Sequence, residues 1–355
     1  VKKYKIDLFS DTNTNPSPEM RRVMCDAEVG NEVAGEDPTV NKLLDRVCEL
    51  LGKEAAVFLP SGTMCNGIAF RVLCKRPGDL IILDRTAHPV TKSSGLISGL
   101  AQAQPYLVDG ERGIFSANQI EPIITAVRGY NISYPRVVSV EQTTNFGGGA
   151  IWPLETIEEV CALAHSHGVA THMDGAHLLN AVVETNIPAS QYAQSFDSVW
   201  IDFSKTLGAP IGAVLAGSKS FIDEAWYYKF QQGGGMHQAG ILAAGCLYGL
   251  DHNVQKIPEL HYLAKELANL LGELSFITIN TADVQTNIII FEVNHPTLSA
   301  FDFEQRLAEQ FIRVLAMDEH KIRMMTHLDL SREDVHDVFS AFRNIGENNL
   351  IRRAG

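Results

Sequence analysis

The sequence contains no CxxC pair; its six cysteines, at positions 25, 48, 65, 74, 161 and 246, are scattered. Cys48 and Cys161 fall on apolar helical faces, where a free thiol is simply a small hydrophobe. A disulfide framework and a structural zinc site are therefore not expected. No apolar run approaches the roughly 18 residues that a membrane span needs. There is no extended low-complexity tract and no basic patch. A net charge of −13 argues against a nucleic-acid surface, because a polyanion would be repelled. His165, His167 and His172 read as strand or helix-surface residues without metal-ligand geometry. Val1-Lys-Lys-Tyr-Lys leads directly into a polar motif rather than a secretory pattern, so a cytoplasmic location is the expectation.

What is present is an ordinary globular composition, 45% apolar and 20% charged over 355 residues. That length suits two domains. Short Val/Ile/Leu-rich runs occur at 55–59, 80–83, 105–108, 136–141, 169–173, 198–201 and 211–216, with helix-periodic stretches such as 64–73 and 154–165 between them. Runs without polar alternation are buried on both faces, the signature of a mainly parallel sheet covered by helices. The expected fold is α/β, with seven strands and ligands at their C-terminal ends. Helices are expected over 17–28 and 40–51, the latter stopped by Gly52. Two further helices, over 240–250 and 259–271, lead into a tail that reads strand 287–293, helix 301–311, strand 321–326 and helix 332–344. The expected division is a large domain over 1–250, including an N-terminal arm, and a smaller α+β domain over 251–355.

Two residues carry the chemistry. Asp174 ends the run Val169-Ala-Thr-His-Met-Asp, and Lys205 lies in Ile201-Asp-Phe-Ser-Lys-Thr-Leu-Gly-Ala-Pro210. An acid and a lysine at successive strand ends suit pyridoxal phosphate (PLP). The amine can form a Schiff base with the aldehyde, and the carboxylate can pair with the pyridine nitrogen. Leu59-Pro-Ser-Gly-Thr-Met-Cys-Asn66 is a strand, a small-residue turn and a helix start, where free amides and Thr63 could cradle a phosphate. An ordinary N-cap explains that segment equally.

Other residues are open on local sequence. His88 stands in a strand-end loop and could stack on a flat ring, although a loop histidine without a role is the plainer reading. Arg323, in the apolar run Ile322-Arg-Met-Met, needs a counter-anion, either a substrate carboxylate or a structural acid. Ser10, Asp11 and Thr12 form a polar cluster that could equally be a helix-capping turn. His177 follows Asp174 by three residues and would emerge near the ring if Asp174 faces a cofactor. His237 follows Gly233-Gly-Gly-Met236 at a helix start.

Together these segments resemble the L-threonine aldolase family, a branch of the fold-type I PLP enzymes in the beta-eliminating lyase group. The matching runs are Asp7-Leu-Phe-Ser-Asp-Thr12, Gly35-Glu-Asp-Pro-Thr-Val-Asn41, Ser61-Gly-Thr-Met-Cys-Asn66, Asp174-Gly-Ala176, Ser204-Lys-Thr-Leu-Gly-Ala-Pro210, Gly233-Gly-Gly-Met236 with Gln238-Ala-Gly240, and Arg323-Met-Met-Thr-His-Leu-Asp329. The resemblance implies that Lys205 is the Schiff-base lysine and Asp174 the pyridinium partner. It implies that Gly62 and Thr63 hold the phosphate, that His88 lies against the ring, and that Ser10 and Arg323 bind the α-carboxylate. It also implies a homodimer or homotetramer with active sites at the dimer interface.

The departures from the family pattern bear on function. His177 stands where the family usually has arginine, and Thr144 where it has a histidine thought to hold the substrate's β-hydroxyl. Thr144 cannot act as a general base near neutral pH. His237 replaces an arginine expected to reach the neighbouring subunit's phosphate, Ala34 replaces an aromatic, and Ser93 an acid. The leading expectation is a PLP-dependent aldolase cleaving the Cα–Cβ bond of a β-hydroxy-α-amino acid. His177 and Thr144 would then contact the substrate, and His177, with His88, would join Lys205 and Asp174 in the catalytic set. Fungal alanine racemases resemble the same family, so racemisation, with His88, His177 and Lys205 as proton carriers, is the second reading, alongside β-elimination. A non-catalytic PLP-binding protein is the third.

Overall fold

The computed structural model describes residues 4–127 and 129–354, with the side chains of 348–354 outside the description. The chain divides into two compact units, residues 16–254 and residues 1–15 with 255–355. The N-terminal arm therefore groups with the C-terminal unit, not with the large domain to which the sequence reading assigned it. The reason lies in packing. The short strand β1 (Ile6–Asp7) runs parallel to β11 (Ile312–Arg313), and its alternate apolar residues Ile6 and Leu8 are buried in one core with Phe291, Phe303 and Phe342.

In the larger unit, seven strands form one sheet. They are β2 (Ala55–Leu59), β3 (Leu80–Asp84), β4 (Gln104–Val108), β5 (Pro135–Glu141), β6 (Ala170–Gly175), β7 (Ser198–Asp202) and β8 (Ala213–Gly217). Their spatial order is β2-β8-β7-β6-β5-β3-β4. The pairs from β7 to β4 are parallel and β8 is antiparallel to both its neighbours. Strands β3, β7 and β8 are buried at every position, as their unbroken apolar runs require when helices cover both faces.

Local rules account for the element ends. The helix Pro38–Leu51 begins on Asp37, whose carboxylate accepts from Thr39 N and Val40 N, and ends on Gly52 at φ 63°. Val40, Leu43, Val47 and Leu51 form its buried stripe. The first helix is shorter than its periodicity predicts, Pro18–Cys25 rather than 17–28. Its continuation is diverted because Thr39 Oγ1 donates to Glu28 O and Gly30 N donates to Asp37.

The smaller unit holds a second sheet, β9 (Ile277–Thr278), β10 (Ile288–Val293), β12 (Leu315–Ala316) and β13 (Lys321–Met325), in the order β12-β13-β10-β9, with every pair antiparallel. Helices Ile257–Gly272, Ala300–Glu309 and Arg332–Ala354 accompany it. No helix among the described residues is long and apolar enough to cross a membrane.

Candidate active site

Register places the first functional cluster. In the parallel sheet Glu141 of β5 lies opposite Asp174 of β6, and Asp174 lies opposite Trp200 of β7. Glu141 and Asp174 are at C-terminal strand ends, Trp200 is at the middle of β7, and all three are buried. The helix Gly62–Leu73 packs over this face and lowers Asn66 onto it. Asn66 Nδ2 donates to Asp174 Oδ2 at 2.8 Å, and Ala176 N donates to Asp174 Oδ1 at 3.2 Å. Asn66 Oδ1 accepts from Trp200 Nε1 at 2.8 Å and from His172 Nε2 at 2.9 Å. With Nε2 donating, His172 Nδ1 accepts from Ser198 Oγ at 2.8 Å. Burial pushes His172 down to about 4, which keeps it neutral in this role.

The acid thus sits 2% exposed with only neutral hydrogen-bond donors. Among the described residues no cation is in ion-pair contact with it. A buried carboxylate in that setting fits a cationic ring nitrogen better than it fits a purely structural role.

Lys205 follows β7 in a turn organised by Asp202, whose Oδ1 accepts from Ser204 N and Ser204 Oγ, each at 2.7 Å. Lys205 Nζ lies 3.9 Å from Asp202 Oδ2. His88 opens a short helix after β3, with its ring Nδ1 3.1 Å from Ser93 Oγ. Burial lowers the pKa of His88 most strongly. Asp174 and Asp202 oppose that shift, while Lys205 and His177 reinforce it. His88 follows β3, Asp174 and His177 lie at and just after the end of β6, and Lys205 follows β7, so the parallel strands bring these residues to one end of the sheet. His177 is buried and caps the helix Leu178–Thr185, with its N–H donating to Gln142 O.

The turn expected to hold a phosphate is a helix N-terminus, capped by Ser61 Oγ accepting from Met64 N at 3.2 Å. The amides of Gly62 and Thr63 begin the helix, where no intrahelical acceptor is available, and Thr63 is exposed. Packing requires a glycine at position 62. A Cβ there would lie 2.0 Å from the Trp200 ring, so only glycine lets this helix approach the strand.

Thr144 lies in the loop after β5, next to the end of that strand. Its hydroxyl is buried and has no hydrogen-bond partner, like Trp152 Nε1; both residues line a small cavity with Glu141. His237 is exposed, and its carbonyl accepts from Glu32 N. In the smaller unit, Ser10 Oγ accepts from Thr12 N and Thr12 Oγ1, the capping arrangement of the helical turn Asp11–Asn13. Arg323 is buried in β13, donates to Phe9 O at 2.9 Å, and has Asp11 as its nearby acid.

A cavity of about 670 Å³ lies at the opposite end of the large sheet, lined by Lys53, Ala170, Phe196 and Asp197. Ala170 starts β6, whereas Asp174 is near its end, so that cavity is remote from the cluster.

Residues 7–294 match the model of the beta-eliminating lyase family. The chain belongs to the beta-eliminating lyase family. It is 37% identical over 342 residues to low-specificity L-threonine aldolase 1 of Arabidopsis thaliana, covering 95% of each chain. It is 35% identical over 343 residues to the low specificity L-threonine aldolase of Escherichia coli K12, covering 95% of this chain and 98% of that one. The solved structure of Leishmania major threonine aldolase superposes with a TM-score of 0.81 at 18% identity, covering 96% of this chain and 99% of that one. This lyase family accounts for the fold expected from the motifs.

The residues beneath the acid are not evident from local sequence. Asn66 was visible only as part of a matching run, and His172 looked like a surface or strand residue. The available signal was positional. Asn66 is a polar residue in the otherwise apolar stretch 64–73, which a buried partner must explain.

Proposed function

We propose that this lyase is a PLP-dependent aldolase that cleaves the Cα–Cβ bond of a β-hydroxy-α-amino acid of the L-threonine type, releasing glycine and an aldehyde. Relatedness to proteins named as low-specificity L-threonine aldolases over 95% of the chain is the observation that carries this reading. Bound PLP would supply the electron sink for the pair of electrons left at Cα.

The chain's own residues would do the rest. Lys205 would hold the aldehyde carbon, and Asp174, braced by Asn66, would pair with the ring nitrogen. The amides of Gly62 and Thr63, with the Thr63 hydroxyl, would take the phosphate. His88, kept neutral by burial, would lie against the ring and is available to accept a proton near neutral pH. We assign carboxylate recognition to Ser10 and Arg323 and a substrate contact to His177. A homodimer or homotetramer is part of the proposal. Phe230 and Val33 are exposed apolar residues that both approach Gly235, a surface that suits a second copy, where His237 would serve the neighbouring site.

Racemisation is the second reading: it needs no base directed at a β-hydroxyl, which suits a threonine at position 144. Incubating the PLP-loaded protein with L-threonine, L-allo-threonine and L-alanine in deuterated water separates the two. Aldehyde release with glycine is expected. Alanine that exchanges its Cα hydrogen and loses chirality, without aldehyde from either threonine, would transfer the chain to the racemases. An absorbance spectrum unchanged between wild type and Lys205→Ala would remove PLP from the account.

A further inference from the structure

A small cavity of about 10 Å³, lined by Asp84, Ser139, Glu141, Thr144 and Trp152 among others, lies beside the cluster and takes no part in the roles proposed above. Two polar atoms of its lining, Trp152 Nε1 and Thr144 Oγ1, are buried and make no hydrogen bond within the protein. Leaving both dry is costly. A polar space near the volume of one water, with several polar groups around it, meets the physical requirements for a fixed water.

Glu141 joins this cavity to the site. Its Oε2 accepts from His88 N at 2.6 Å and its Oε1 accepts from Asn145 N at 2.6 Å. One carboxylate thereby fastens two loops, the one after β3 that carries His88 and the one after β5 that carries Thr144 and Asn145. We propose that Glu141 is the positioning residue for His88, with one ordered water on Trp152 Nε1 and Thr144 Oγ1 completing the polar shell of its carboxylate.

The ionised form holds both bonds best. Protonation removes the negative charge and makes one oxygen an O–H group, a poorer acceptor for the amide N–H it faces, so the hold on one loop is weakened. Burial and the neighbouring charge of Asp174 raise Glu141 to about 7, with Lys205 and the two amide donors opposing the rise. The other charged groups facing this region are Asp84, across the cavity on β3, and the His88 ring itself. The weakening of that hold therefore falls near neutral pH, and it reaches the chemistry through the placement of His88.

The kinetic part of the test rests on the proposed aldolase activity; the structural part does not. Glu141→Gln mimics the protonated acid, because its amide NH₂ opposes an N–H donor. In the PLP-loaded wild type, kcat on L-threonine is expected to fall about tenfold as pH drops through about 7, and E141Q to be lowered by about the same factor at all pH values with that limb absent. Infrared difference spectra of the wild type across the same range should show a carboxyl C=O band that E141Q lacks, and a high-resolution crystal structure should place a water on Trp152 Nε1. An E141Q enzyme with wild-type kcat and an intact acid limb would overturn the proposal. So would a titrating band that persists in E141Q. If no β-hydroxy amino acid yields aldehyde, the aldolase reading fails, and the infrared band and cavity water still judge Glu141. Should E141Q not fold, wild-type crystals at about pH 5.5 and about pH 8.5 decide. The Glu141–His88 N contact must lengthen at the lower pH, and an unchanged contact sinks the idea.

Discussion

Asn66 donates to Asp174 Oδ2 at 2.8 Å while its own Oδ1 takes the Trp200 indole N–H at 2.8 Å. One neutral amide therefore ties the helix after β2 to the end of β6 and the middle of β7 and orients the buried acid. Replacing it leaves Asp174, His172 and Trp200 each short of a partner in a dry setting. Asn66→Ala is expected to cost roughly 2–4 kcal/mol in urea unfolding, where unsatisfied buried groups cost about 1–3 each. It should also weaken PLP retention, read as loss of cofactor absorbance on dialysis. Retention equal to that of wild type would mean that the acid needs no brace.

His172 sets a pH dependence of stability. Its folded pKa, about 4, lies below the ordinary value of 6.5 because burial disfavours the cation. Between those values the unfolded chain binds a proton that the folded protein does not. This contribution is therefore complete above about 6.5 and is lost as pH falls toward 4, up to about 3 kcal/mol. Glu141 acts with the opposite sign. Its pKa is raised from 4.5 to about 7, so its contribution is present below 4.5 and is lost as pH rises toward 7. The His172 effect must accordingly be read as the difference between wild type and His172→Gln in urea midpoints across pH 4 to 6.5. Parallel midpoint curves would refute it.

Gly62→Ala tests whether the turn proposed to hold the phosphate is also a packing contact. The added carbon would meet the Trp200 ring at 2.0 Å, and that ring is pinned by Asn66 and nearly fully buried. We expect destabilisation of about 3 kcal/mol, the upper part of the overpacking range. A loss of PLP affinity at unchanged stability would assign the glycine to the phosphate alone.

Glu32 and Lys229 form a salt bridge that is 1% and 0% exposed at its two side chains, and the ammonium also lies 4.1 Å from the Trp226 ring centroid. Glu32 Oε2 accepts from Met236 N at 3.3 Å, so the pair anchors the loop that precedes His237. Burial pushes both groups toward their neutral forms, and each opposes the shift of the other. Lys229→Met should cost about 3–5 kcal/mol by stranding the acid, and adding Glu32→Leu should recover much of that loss. Additive losses in the double variant would show that the two charges are not coupled.

The alternation of apolar runs and helical stretches made the sheet legible, because a strand buried on both faces admits no polar residue and so announces itself locally. Five of the seven expected strands meet the observed ends to within one residue, the other two beginning one or two residues later. Asp174 and Lys205 were legible for the same reason. Asp174 ends such a run and Lys205 follows one closely, where a parallel sheet presents its side chains to a ligand. Less was visible where partners come from afar. The membership of residues 1–15 in the smaller unit depends on pairing across about 300 positions, and no local pattern encodes it. The shorter first helix depends on hydrogen bonds from Gly30 and Thr39 that compete with helix propagation.

The sequence alone determined which strands exist, which acid and lysine stand at or just after their ends, and the family to which that order of motifs belongs, because each of these is written in contiguous residues. Only the tertiary structure decided how those side chains are held. Asn66 became the brace of Asp174 because a helix crosses two strands. Gly62 became a packing contact because Trp200 lies beneath it. Thr144 came to line one small cavity with Glu141 and Trp152 because the loop after β5 folds back beside its strand. Hydrogen bonds and burial join residues more than a hundred positions apart, and their strength depends on exclusion of water, which packing alone provides.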